Sequence, residues 1–180
     1  MRKSMVSARL FSVKRTRELV LLGVFTALTV LLARVFAIQT PFVHFGLSFL
    51  PVALCATWLG PVKAGTCAAL ADILGANLLG TGAYFPGFTI SAFFTGWLYG
   101  IFFYRRRPNL WLVLAAFLLV TVFVHLLLNT VWLVLFYEKG ASLILAARVP
   151  KLILCYPLEC ALFFFVWRYL SRILPYGKSF

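Results

Sequence analysis

Long apolar runs separated by short breaks dominate the chain, falling near residues 19–38, 47–60, 63–80, 87–104, 110–137 and 143–172. The breaks coincide with Thr40-Pro41, Gly60-Pro61, the stretch from Gly80 to Gly87, Arg107-Pro108 and Lys139-Gly140, where glycine and proline punctuate regular structure. A helix needs roughly 20 apolar residues to cross a hydrocarbon layer of about 30 Å, so the pattern predicts six spans joined by short turns. Hydrocarbon offers the backbone no hydrogen-bond partner, and the runs are too long and too uniform for alternating barrel strands, which leaves helices. The expected fold is therefore all-α and integral to the membrane: a six-transmembrane-helix bundle over residues 18–173, a basic arm over 1–17 and a short tail over 174–180. The basic start followed by an apolar run resembles a signal peptide. The run is long, however, and lacks a small-residue cleavage pattern before its end, so it is assigned to helix 1.

Composition agrees: 63% of residues are hydrophobic and 12% charged, with only four acids, Glu18, Asp72, Glu138 and Glu159. So little polar surface implies a lipid solvent. A net charge of +13 raises the question of nucleic acid, but the cations form short clusters between apolar runs, as topology signals do, and no nucleic-acid partner is expected. Thirteen of the 17 basic residues, namely Arg2, Lys3, Arg9, Lys14, Arg15, Arg17, Lys63, Arg105, Arg106, Arg107, Arg168, Arg172 and Lys178, fall on one side of a six-helix topology. That asymmetry predicts cytoplasmic termini and external loops around His44, Tyr84 and Lys139. The arm is expected at the inner leaflet, drawn by anionic lipid. Cys55, Cys67, Cys155 and Cys160 lie within apolar runs without CxxC spacing, so neither a disulfide framework nor a metal site is signalled.

Topology leaves four cations over, of which Lys139 sits in an external loop beside Glu138. Arg34 lies about 24 Å along helix 1, in the outer half of the membrane. Arg148 and Lys151, one turn deep in the last helix, point into the same half. Asp72 falls near the middle of helix 3, where a carboxylate costs about 2.5–3.5 kcal/mol on insertion scales and wants a partner, either Arg34 or a ligand. His125 and Asn129 stand at i and i+4 of helix 5, on one face. These groups converge on the outer half of the bundle, as an outward-facing pocket for an anionic, polar, aromatic ligand requires. Phe42, Phe45, Tyr84, Phe85, Phe88, Trp132 and Tyr137 are available to stack on a flat ring. Snorkelling of Arg34, a hydrogen-bonded core role for His125 and an interfacial aromatic belt are the competing readings of the same residues.

Helix 1 carries Gly23 and Ala27, and helix 4 carries Gly96 and Gly100, at the four-residue spacing that lets helices approach closely, either inside the bundle or against a partner subunit. The chain has no GxxxxGK[ST], HExxH or GxSxG motif. An enzyme acting on lipid or prenyl groups is disfavoured by the lack of clustered acids or metal-binding histidines, and no cofactor is expected. A structural membrane subunit, with Arg34 and Asp72 merely paired across the bundle, remains a further alternative.

The ordered series Arg34-Val35-Phe36-Ala37-Ile38, Phe49-Leu50-Pro51, Gly60-Pro61, Asp72-Ile73-Leu74-Gly75, Pro86-Gly87-Phe88-Thr89, Gly96-Trp97-Leu98-Tyr99-Gly100, Asn129-Thr130-Val131-Trp132-Leu133 and Ala147-Arg148-Val149-Pro150-Lys151 resembles the substrate-binding S components of energy-coupling factor (ECF) transporters, and among them the folate-specific ones. The resemblance covers roughly residues 19–172. It implies a six-helix bundle in a prokaryotic plasma membrane that takes folate from outside. It further implies docking through helix 1, at Gly23 and Ala27, on a transmembrane coupling subunit served by two cytoplasmic ATPases, with import by toppling. Family members more typically carry alanine where this chain has Gly23. A flat pterin, a benzoyl amide and a glutamyl tail with two carboxylates would meet Arg34, Arg148 and Lys151 as cations, His125 and Asn129 as hydrogen-bonding groups, Trp132 nearby, and Asp72 or Glu159 at the amino-pyrimidine edge. An S component for pantothenate, thiamine or a deazapurine would share the bundle but not these contacts.

Overall fold

The computed structural model describes residues 2–34, 38–39, 44–78, 85–137 and 141–173 of the chain. Helix α1 runs from Arg2 to Arg34, so the basic arm is helical and continuous with the first apolar run. The physical reason is plain in the sequence: residues 2–18 contain no glycine or proline, and a change from polar to apolar side chains does not interrupt the backbone hydrogen-bond ladder. At its other end α1 stops at Arg34, short of the expected Ile38. There a small antiparallel ribbon forms between β1 (Ile38–Gln39) and β2 (His44–Phe45), with Ile38 opposite Phe45 and Gln39 opposite His44.

The remainder is helical: α2 (Phe49–Leu59), α3 (Pro61–Leu78), α4 (Pro86–Phe103), α5 (Leu110–Leu119), a π-helical stretch (Val120–Leu128), α6 (Asn129–Tyr137) and α7 (Ala141–Ile173). Pro51, Pro61 and Pro86 each stand in the first turn of their helix, where a missing N–H costs nothing. Gly60 closes α2 with a φ of +88°, its N–H bonded to the Ala56 carbonyl, and Pro61 opens α3 immediately. Positive φ at this corner needs glycine, and the Tyr104 ring packs directly over it.

From Leu110 to Tyr137 the chain is one helical run, as the sequence pattern predicts, but its middle widens to π geometry, with the Asn129 N–H reaching five residues back to the Val124 carbonyl. Apolar periodicity does not distinguish the two geometries. Segments Arg15–Ala33 (19 residues) and Leu110–Trp132 (23 residues) are long and apolar enough to span a bilayer. By contrast α2, with 11 residues, is mostly buried among its neighbours.

The two ends of the bundle differ. Toward the α4–α5 turn, Phe103 stacks on Phe163 of α7 at 4.9 Å and on Tyr99 at 5.9 Å, while Phe117 of α5 tilts against Tyr99 at 4.9 Å and Phe163 at 5.6 Å. These four rings are fully buried, and the Tyr156 hydroxyl donates to the Leu114 carbonyl at 2.9 Å, tying α7 to α5. The same end carries the exposed Arg105, Arg106, Arg107, Arg168 and Arg172. It also carries an ion pair of 2.7 Å between Lys63 and Glu18, both about half exposed. Exposed pairs of this kind contribute about 0–1 kcal/mol.

Helices α3 and α4 pack antiparallel with backbones in contact. A Cβ added at Gly100 would overlap Pro61, one added at Gly96 would overlap the Ala64 carbonyl, and one added at Gly65 would lie 2.9 Å from the Phe93 ring. The small residues of α4 are thus used inside the bundle. Those of α1 are not: Gly23 and Ala27 are exposed, and a Cβ at Gly23 meets nothing within 4 Å.

This contrast gives a stability test. Gly96→Ala and Gly100→Ala should each destabilise the detergent-solubilised protein by about 1–3 kcal/mol, the usual range for overpacking. Gly23→Ala, which adds a helix-favouring methyl in open space, should leave the melting temperature unchanged or slightly raised.

Candidate substrate-binding site

At the end of the bundle opposite the arginines, α4 stands between α3 and α6 and presents polar side chains to both. On the α3 side, the Thr89 hydroxyl donates to Asp72 Oδ2 at 2.7 Å. The expected partner of Asp72 was Arg34 or a ligand. Among the described residues Asp72 has a neutral hydroxyl as partner, because Thr89 lies level with it in the antiparallel α3–α4 register; the Arg34 side chain lies outside them. On the α6 side, Trp132 Nε1 donates to Ser91 Oγ at 3.2 Å, and Ser91 is only 2% exposed.

Aromatic rings enclose the same region. Phe85 meets Phe88 and Trp132 edge-on, each at 5.8 Å between centroids. Gly87 makes this possible, since a Cβ there would overlap Phe85 and lie 2.6 Å from the Trp132 ring. Edge-to-face packing of this kind is a favoured arrangement for aromatic pairs.

His125 falls within the π-helical stretch and Asn129 opens α6, with Asn129 Nδ2 3.4 Å from His125 Nδ1. Asn129 Oδ1 and the Thr130 hydroxyl oxygen are buried without a hydrogen-bond partner among the described residues. An unsatisfied buried polar group costs about 1–3 kcal/mol, so these two atoms mark the place as one suited to polar ligand atoms.

Of the residues proposed from sequence, Asp72, His125, Asn129 and Trp132 therefore gather on neighbouring elements. Arg34 ends α1, and Arg148 and Lys151 lie in α7, but their side chains fall outside the described residues, as do those of Phe42, Phe45, Tyr84 and Tyr137. Glu159 is half-buried in α7 beside Cys160, which belongs to the aromatic-rich core. The sequence reading missed Ser91 and Thr89 as site residues. Each is an unremarkable hydroxyl in an apolar helix until the partner across the helix interface is known. Among the described residues no group of histidine, cysteine or acidic side chains is arranged to hold a metal.

A helical membrane bundle that gathers acid, hydroxyl, amide and indole side chains toward the end away from its four-ring core has the form of a membrane-embedded substrate-binding subunit. The chain belongs to the family of substrate-specific components of ECF transporters, whose family model matches residues 17–167. It is 33% identical over 160 residues to the folate transporter FolT of Clostridium novyi (strain NT), covering 89% of this chain and 93% of that protein. It is 29% identical over 157 residues to FolT of Leuconostoc mesenteroides, covering 84% of each. Among solved structures, it superposes on FolT bound with folic acid with a TM-score of 0.81 and 33% identity, over 86% of this chain and 94% of that one. The fold expected from the sequence, an all-α integral membrane bundle, is thereby established, with the short β ribbon as its local exception.

The packing at Gly87 yields a local test. Gly87→Ala should push Phe85 and Trp132 apart, shift the Trp132 emission and weaken ligand binding, whereas Ile90→Ala, at a position exposed on the same helix, should leave the emission unchanged.

Proposed function

We propose that this chain captures folate at the outer face of a prokaryotic plasma membrane, as a multi-pass protein, and delivers it for uptake through an ATP-driven ECF transporter. The observation that carries the reading is the near full-length likeness to FolT bound with folic acid, together with donors, acceptors and rings gathered at one end of this bundle. In this reading the arginine-rich end and both termini are cytoplasmic, as the charge asymmetry favours, and the Asp72–Trp132 end faces outward.

Arg34, Arg148 and Lys151 supply cations for the two glutamyl carboxylates, for which charge-assisted contacts are well suited. His125 and Asn129 hydrogen-bond the ligand's polar atoms, Trp132 offers an aromatic surface, and Asp72 meets the amino-pyrimidine edge. The chain binds rather than catalyses. ATP hydrolysis belongs to two cytoplasmic ATPase subunits that act through a transmembrane coupling subunit. The surface of α1 around Gly23 and Ala27 docks on that coupling subunit. It is supported by the continuous exposed stripe of Leu19, Val20, Gly23, Val24, Ala27, Leu28 and Leu31, in which Gly23 and Ala27 allow close helix approach.

Titration of the purified chain with folate, followed by tryptophan fluorescence, tests the capture. Saturable quenching at submicromolar folate, largely lost in Trp132→Phe, is the expected result. A folded protein that gives no saturable response to folate but binds thiamine, pantothenate or a deazapurine would assign the bundle to another vitamin. In the same titration Arg34→Ala should raise Kd at least about tenfold, equivalent to about 1.4 kcal/mol.

Docking is tested separately. Gly23→Trp should abolish co-purification with the coupling subunit while leaving folate binding by the isolated chain intact, because the position contacts nothing within the bundle.

A further inference from the structure

We infer that Thr89 is a positioning residue for Asp72, and that the carboxylate it orients makes the site selective for a ligand bearing an amino-pyrimidine edge. The inference rests on the folate reading above and adds to it a residue and a basis for discrimination.

Asp72 is one of four acids in the chain and is half-buried on α3 within an otherwise apolar bundle. Its hydrogen-bond partner among the described residues is Thr89, at 2.7 Å to Oδ2. An ionised carboxylate has about four lone-pair positions, and one neutral hydroxyl occupies one of them. Oδ1 and the second lone pair of Oδ2 are left to accept further donors. A carboxylate so weakly compensated in a membrane bundle stands to gain most from a ligand that brings a pair of adjacent N–H groups.

Charge decides which part of the ligand that is. The glutamyl tail is anionic and would be repelled by Asp72, so its place is with the cations. The exocyclic amine and adjacent ring N–H of an amino-pyrimidine form the donor pair that a carboxylate accepts in parallel. Such two-point pairing tolerates little rotation of the carboxylate.

Thr89 restrains that rotation. Its hydroxyl is engaged with Oδ2, and its backbone is fixed relative to α3 by the Gly96 and Gly100 contacts two and three turns away. The hydroxyl therefore holds Oδ2 from a fixed point. Removing it leaves the Asp72 carboxyl in place but free to swing, and the selective contact is lost while the rest of the site is intact.

The test compares two probes, folate and 2-desamino-2-methylfolate, in which a methyl replaces the exocyclic amine, on the purified chain and its Thr89→Val and Thr89→Ser variants. The wild type should prefer folate by at least about tenfold. Thr89→Val, which keeps the shape and deletes the hydroxyl, should weaken folate by about tenfold and leave the methyl analogue unchanged, so that the preference collapses. Thr89→Ser should restore it. Equal weakening of both probes by Thr89→Val, or an undiminished preference, would overturn the role of Thr89 while leaving folate capture standing. A folded wild type that binds neither probe would overturn the folate reading and this inference with it.

Discussion

The backbone contact between α3 and α4 is the constraint on which the rest of the structure depends. Two glycines of α4 let that helix approach until Gly100 lies on Pro61 and Gly96 on Ala64. Once those two levels are set, antiparallel geometry fixes every level above them, since both helices rise by about 1.5 Å per residue. Asp72 and Thr89 meet because they occupy the same level farther along the pair. On its other side α4 carries Ser91 to Trp132 of α6. One helix, seated by the absence of two side chains, thus aligns an acid from α3 and an indole from α6.

The bundle divides its labour along its length. At the arginine-rich end the interior is filled by Tyr99, Phe103, Phe117 and Phe163, large rings whose burial and mutual packing hold α4, α5 and α7 together without any polar atom needing a partner except the tyrosine hydroxyl. At the other end the interior contains an acid, hydroxyls, an amide and a histidine. Polar groups in such a setting are costly to bury, and two of them, Asn129 Oδ1 and the Thr130 hydroxyl, have no hydrogen-bond partner among the described residues. The π-helical stretch that carries His125 lies between the two regimes. π geometry is rare and commonly accompanies functional sites, and here it sits in the helix that joins the packed end to the polar one.

Such a division suits a subunit that binds a ligand at one end of its bundle and is packed solid at the other. The exposed face of α1 lies outside both. Its small residues are spared from internal packing, in contrast to those of α4, although the two helices show the same spacing in the sequence.

Much of this was legible in the chain itself. Apolar runs of spanning length with glycine and proline at the breaks specify helices in lipid, because hydrocarbon leaves the backbone no other way to satisfy its hydrogen bonds. The same reasoning singled out Asp72, His125 and Asn129 as polar groups in apolar helices, and Trp132 as an aromatic available to stack. It could not find the helical continuation of α1 back to Arg2, since polarity marks where lipid ends and not where a helix ends. Nor could it distinguish π from α geometry within Val120–Leu128, as both keep the residues apolar. The partner of Asp72, the hold of Ser91 on Trp132 and the opposite uses of Gly23 and Gly96 were decided by tertiary structure alone. Each depends on which residue of another helix lies at the same level, and that register is set by side-chain contacts between segments far apart in the chain.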